Sequence, residues 1–331
     1  MAWPTLRIIA FINGIFLLTL AISMAVPMLT LVLFARPDEL NAFLWSSLIT
    51  CVAGIVMIAQ GRPKDVQLRP RDMYLLTVSS WVLVGLFASL PFMFSQHLGL
   101  TDAVFESMSG ITATGATVLS GLDDMSPGIL IWRSLLHWLG GIGFIAMAVA
   151  ILPMLRIGGM RLFQTESSDR SEKIMPRSHM VAKYMIAAYL GLSIIGCLAL
   201  WLAGMGVFDA INHTMSAIAT GGFSTSDQSI GKWTEPAVHW VTIALMILGS
   251  VPFVLFASML RGNYKALIRD QQVRGFIAIL LSTWLLLGTW YYLSTDLHWL
   301  EAIRHVAFNT TSIMTTTGFA LGDYTLWGGF A

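Results

Sequence analysis

Three segments of the chain repeat one order of small, hydroxylated and glycine residues. The first reads Phe105-Glu106-Ser107-Met108-Ser109-Gly110-Ile111-Thr112-Ala113-Thr114-Gly115-Ala116-Thr117. The second reads Asn212-His213-Thr214-Met215-Ser216-Ala217-Ile218-Ala219-Thr220-Gly221-Gly222-Phe223-Ser224. The third reads Phe308-Asn309-Thr310-Thr311-Ser312-Ile313-Met314-Thr315-Thr316-Thr317-Gly318-Phe319-Ala320. Aligned without gaps, Gly115, Gly222 and Gly318 fall 107 and 96 residues apart. Such a loop can do one kind of chemistry well. Its backbone carbonyls can turn toward an axis and replace the water around a bare cation. Glycine adopts the unusual φ/ψ values this needs without steric cost. The adjacent threonine is stiff, and its hydroxyl can add an oxygen ligand. A transition metal or calcium would call for a cluster of Cys, His or carboxylate ligands, and these loops hold none.

The rest of the chain is what must hold such loops in place. Of its 331 residues, 56% are hydrophobic and 11% charged, against about 25% charged in a soluble domain. The shortage of charge runs throughout, which predicts one membrane-embedded, all-α unit. Apolar stretches long enough to span a bilayer lie near residues 5–34, 41–60, 73–95, 128–155, 183–205, 236–260 and 274–295, and another opens near Trp327. The first runs too long for a secretory leader and has no prompt small-residue cleavage site.

Fifteen of the 19 Lys and Arg lie at Arg7 and in the linkers 61–72, 156–183 and 261–274. The positive-inside rule makes these linkers and the N-terminus cytoplasmic. Twelve of the 18 acidic residues fall on the other side, Asp102, Asp123, Asp209 and Asp323 among them. Two readings of this bias stand: a negative mouth that gathers cations, or the weak influence of acids on topology. With this orientation residues 96–127, 206–235 and 296–326 begin and end outside. Each holds an apolar stretch of 10–14 residues, too short to span and suited to a re-entrant half-helix.

Other residues carry no such signal. Cys51 and Cys197 sit in apolar runs and read as inert packing rather than a disulfide or metal site. His137, His179, His213, His239, His298 and His305 lack ligand spacing and read as packing or solvated groups. Trp132, Trp233, Trp240 and Trp299 lie near span ends, as an interfacial belt would. Gly140, Gly141 and Gly143 suit close helix packing. Glu106 has two roles open to it. The favoured one is accepting hydrogen bonds from backbone donors behind the loop, and the other is direct ion contact. No paired nucleophile and base or metalloprotease motif points to an enzyme.

Taken together, these segments resemble the Trk/Ktr/HKT potassium-transporter superfamily, most closely its bacterial TrkH membrane subunits. The resemblance rests on Phe105–Gly110 running into Thr114–Thr117, then Ser120–Asp123, on His137–Gly143, on Thr220–Thr225 and on Thr315–Phe319. It implies units of helix, half-helix, filter loop and helix around a pore, preceded by two extra helices. Residues 1–60 would be those two helices. Residues 73–157 would form the first pore unit, 183–260 the second and 274–331 an incomplete third. The fourth unit, with its pore-lining arginine, and the third unit's second helix, with the family's gating loop, lie outside residues 1–331. A non-conducting fragment or assembly partner is therefore the alternative to potassium uptake. The implied filter comprises Thr112, Ala113, Thr114 and Gly115, then Thr220, Gly221 and Gly222, then Thr316, Thr317 and Gly318. Potassium would bind at Thr114, Gly115, Thr220, Gly221, Gly222, Thr317 and Gly318, as substrate and with no cofactor. The resemblance further implies a homodimer in the bacterial inner membrane. A cytosolic nucleotide-binding regulatory subunit would dock on linkers such as Arg156–Lys183, and no nucleic acid is involved.

The orientation has a direct check. Cysteines placed at Asp123 and Asp227 should react with an impermeant thiol reagent from outside intact cells, and one at Ser168 only from the cytoplasm. Outside labelling at 168 would reverse the topology.

Overall fold

The computed structural model describes residues 3–61, 69–155, 174–323 and 327, and their regular structure is helical, with no strand. The helices are α1 Trp3–Ser23, α2 Ala25–Leu33, α3 Leu40–Ala59, α4 Pro70–Ala88, α5 Leu90–Ser95, α6 Leu100–Ile111 and α7 Pro127–Leu155. They continue as α8 Ile174–Leu202, α9 Val207–Ile218, α10 Pro236–Ser250, α11 Phe253–Leu260, α12 Lys265–Arg269, α13 Gln271–Ser294 and α14 Trp299–Met314. The linker residues 62–68 and 156–173, where a regulatory subunit was expected to dock, lie outside the described residues.

Among the described residues, five stretches are long and apolar enough to cross a membrane: Thr5–Leu33, Pro37–Ala59, Arg71–Ser95, Met180–Leu202 and Gln271–Ser294. Helix α7, at 29 residues, reaches about 44 Å. Large side chains such as Ile22, Leu202 and Leu293 are 74–78% exposed on these helices, as a lipid-facing surface requires. The expected straight span over 236–260 is instead α10 and α11, bent by 90° across a short break. Its apolar run is continuous in sequence, but Pro252 has no N–H and pushes Val251 to extended backbone at φ −75°, ψ 137°. At Pro27 and Pro91 the missing N–H interrupts the helical bonding between α1 and α2 and between α4 and α5, but Met24 and Ser89 stay right-handed and each pair runs on as one span.

Two compact units emerge. In the first, comprising residues 1–112 and 116–136, α1 and α3 meet through glycines. A Cβ on Gly14 would lie 2.7 Å from the Gly54 carbonyl oxygen. Asn13, buried in α1, donates to Ser79 Oγ at 2.9 Å and accepts from Ser80 Oγ at 2.6 Å on α4. Polar links of this kind hold helices together where both faces are otherwise apolar. Half-helix α6 lies in a notch at Gly85 of α4: Met108 fills it, and Ser107 Oγ donates to the Gly85 carbonyl at 2.7 Å. Trp132 is not part of an interfacial belt. It is fully buried, with Nε1 donating to the Ala88 carbonyl at 3.1 Å.

The second unit, residues 113–115 and 137–331, has an apolar core that includes Leu200, Ala217, Ile218, Leu245, Phe308 and Phe319. Here too the preceding helix offers each half-helix a glycine. Gly196 of α8 faces Thr214 of α9, and Gly288 of α13 faces Ile303 of α14. Gly141 packs against the Tyr189 ring, while nothing lies within 4 Å of a Cβ at Gly143. Trp233, like Trp132, is buried in the core rather than placed at a lipid boundary.

Glycine substitution should separate these roles. Gly14→Ala must displace the Gly54 backbone and should lower the stability of the purified protein by about 1–3 kcal/mol. Gly191→Ala, with nothing within 4 Å, should leave it unchanged or raise it. Thermal unfolding in detergent distinguishes the two.

Candidate ion-binding loops

The three half-helices are short. α6 and α9 have 12 residues each and α14 has 16, so they reach about 18–24 Å and cannot cross a bilayer of about 30 Å. An acidic residue lies in the first turn of each: Asp102, Asp209 and Glu301. There it complements the positive end of the helix dipole. The opposite, negative end leads straight into the Thr/Gly loop.

At that end the backbone does the same unusual thing three times. Ala113, Thr220 and Thr316 have φ of 53°, 51° and 57°. Two residues later Gly115, Gly222 and Gly318 have φ of 79°, 84° and 87°. The residues between them stay at negative φ. Alternating the sign of φ can turn successive carbonyls toward one edge, whereas a β-strand sends them to opposite edges. Left-handed backbone costs a non-glycine residue about 1–2 kcal/mol, so Ala113, Thr220 and Thr316 hold strain that their surroundings must maintain.

Neighbouring loops are packed so closely that only glycine fits. A Cβ on Gly115 would overlap the carbonyl oxygen of Gly221, and one on Gly222 would overlap that of Thr317. Gly221 and Thr317 occupy the same position of the repeat, so this contact between adjacent loops occurs twice in register. At Gly318 a Cβ would meet nothing within 4 Å, and there the left-handed φ alone favours glycine. Gly221 is further wedged against the ring of His137, which stacks on Phe223 at 4.2 Å between centroids. His137 Nδ1 lies 3.1 Å from Ser216 Oγ.

Each loop is tied back to its own half-helix. In the first, the buried Glu106 accepts from the Val118 N–H at 3.0 Å and from Thr117 Oγ1 at 2.9 Å. Arg133 Nε donates to Glu106 Oε1 at 2.8 Å, and both side chains are no more than 1% exposed. Glu106 therefore takes the backbone-bonding role. In the second, His213 Nε2 lies 2.9 Å from Ser224 Oγ, and Thr225 Oγ1 donates to Asp209 at 2.6 Å. In the third, Asn309 accepts from the Leu321 N–H at 2.9 Å and donates to its carbonyl at 3.1 Å.

The structure brings Ala113–Gly115, Thr220–Gly222 and Thr316–Gly318 together within one unit. It does not aim every threonine hydroxyl at a common point. Thr112 Oγ1 donates to the Met108 carbonyl at 2.7 Å, and the fully buried Thr317 Oγ1 lies 2.8 Å from Thr315 Oγ1. These two hydroxyls are bonded locally. His137 and His213, read as simple packing from sequence, instead shape the second loop. Gap-free alignment carried a signal for His213, because it falls in one column with Glu106 and Asn309.

Residues 40–328 match the family model of TrkH, described as a cation transport protein. The chain belongs to the TrkH cation transport protein family. The Trk system potassium uptake protein TrkI of Halomonas elongata is 43% identical over 330 residues, covering 99% of this chain and 66% of TrkI. TrkH of Escherichia coli is 35% identical, covering 97% of this chain and 68% of that protein. The crystal structure of the potassium transporter TrkH from Vibrio parahaemolyticus superposes with a TM-score of 0.86 at 34% identity, over 96% of this chain and 66% of that one. The chain thus spans about two thirds of the length of these TrkH-family relatives.

The buried ion pair of this TrkH-family chain makes a sharp prediction. Arg133→Met alone leaves a buried carboxylate without its cation and should cost about 3–5 kcal/mol. Adding Glu106→Leu should recover part of the loss, because the two changes are strongly coupled. Thermal unfolding of both single variants and the double variant measures this coupling.

Proposed function

We propose that the protein takes up potassium across the bacterial inner membrane through a filter of backbone carbonyls. The filter consists of Ala113, Thr114 and Gly115, with Thr220, Gly221 and Gly222, and with Thr316, Thr317 and Gly318. Thr112 borders it, its hydroxyl being bonded within the half-helix. The observation that carries this reading is the paired left-handed backbone, repeated at the same two positions of all three loops. Carbonyls held in this way replace the hydration shell of a weakly hydrated cation without adding formal charge. The negative ends of α9 and α14, which lead into the second and third loops, favour a cation there. Potassium is the substrate, no cofactor takes part, and the process is transport rather than catalysis.

The names of the relatives agree with this reading, since TrkI and TrkH are potassium uptake proteins. The activity belongs to the complete protein, of which such relatives have more than is present here. Within it, the chain would pair as a homodimer, keep its N-terminus in the cytoplasm, and bind a cytosolic nucleotide-binding regulatory subunit through its basic linkers.

The test is uptake by the complete transporter in potassium-starved cells. Rubidium should enter and be displaced by potassium. Gly115→Ser forces a side chain into left-handed backbone against the Gly221 carbonyl, and should lower the preference for potassium over sodium about tenfold. An unchanged ratio of the two ions would remove Gly115 from the filter.

A further inference from the structure

Glu106, His213 and Asn309 differ in size, charge and chemistry, yet they occupy one column of the repeat. Each stands nine residues before its loop glycine, Gly115, Gly222 or Gly318. Each bonds the limb that leaves the loop two or three residues after that glycine: Thr117 and Val118, Ser224, and Leu321. All three side chains are no more than 1% exposed. Because the column is constant while the residue is not, its common property is the bond it makes. Fold stability alone would not require the same span to be closed in the same register three times.

We propose that Glu106, His213 and Asn309 are the positioning residues of the filter, and that their bonds set the spacing of the carbonyls and with it the choice of cation. This rests on the filter reading above. Each brace closes a segment of 11 or 12 residues that contains both left-handed positions. It holds the outgoing limb at a fixed distance from the half-helix, so the carbonyls between cannot relax. A loosened limb lets the carbonyls close in on a smaller, more strongly hydrated ion, and discrimination falls because it depends on cavity size and carbonyl field. The braces are not interchangeable in strength. The first is reinforced by Arg133, which reaches both Glu106 and Thr117 Oγ1, and charge-assisted bonds are roughly twice as strong as neutral ones. The third rests on two neutral amide bonds between Asn309 and the Leu321 backbone.

The experiment compares rubidium and sodium uptake by the complete transporter at matched amounts in the membrane. Thr117→Val, Ser224→Ala and Asn309→Leu remove bracing atoms with little change in volume. Each should lower the rubidium-to-sodium ratio about three- to tenfold. Thr117→Ser and Ser224→Thr keep the hydroxyl and should restore the wild-type ratio. A merely structural role would lower the amount of protein and leave the ratio per molecule unchanged, and that result overturns the proposal. Ser224→Ala removes a single oxygen, so it carries the test if a bulkier change impairs folding. A wild-type protein that shows no potassium-competed uptake would instead overturn the filter reading, and the positioning role with it.

Discussion

A backbone carbonyl left without a hydrogen bond at membrane depth is the constraint on which this structure turns. Each such group costs several kcal/mol in hydrocarbon, and chains normally avoid the cost by remaining helical. Here three half-helices stop short, and the loops that follow alternate positive and negative φ at 113–115, 220–222 and 316–318. Under the proposed filter reading, a bare monovalent cation standing among these oxygens would satisfy them. An arrangement that is costly when empty would then be selective when filled.

The remaining architecture keeps those loops from relaxing into ordinary turns. Glycine notches at Gly85, Gly196 and Gly288 let each half-helix approach the helix before it. Close approach also governs the loops, where Gly115 and Gly222 admit the carbonyls of the next loop. Gly249 of α10 serves a related end, since a Cβ there would lie 2.7 Å from the Ile218 carbonyl at the end of α9. The 90° corner that follows at Pro252 turns the chain away just beyond the second half-helix. Buried side chains from Glu106 to Leu321 then fix the outgoing limbs. Strain at Ala113, Thr220 and Thr316 is thus maintained by many small contacts rather than by one strong one.

Much of this was legible in the residues. Thr/Gly loops in register, apolar runs of spanning length and shorter runs between them led to the all-α architecture, because helix length and glycine placement are local properties. The bend at Pro252 was harder to read, since hydropathy is blind to direction and the run through 236–260 stays apolar. Trp132 and Trp233 fell near span ends yet pack inward, because distance along a helix says nothing about which face a side chain occupies. The threonine beside a loop glycine reads from sequence as a source of an extra oxygen ligand. The Thr317 hydroxyl lies 2.8 Å from Thr315 Oγ1, a local bond of the kind threonines near a helix end readily make. His213 and Asn309 escaped notice because composition separates what position unites. Glutamate, histidine and asparagine look unrelated until the loops are aligned and the bonding partner of each is known.

The most direct measurement is the location of a heavy potassium congener. Crystals of the complete transporter soaked in thallium or rubidium should show anomalous density beside the carbonyls of Thr114, Gly115, Gly221, Gly222, Thr317 and Gly318, and potassium should displace it. Density only at acidic side chains such as Asp123 or Asp227, with the loop carbonyls bare in a transporting protein, would contradict the account.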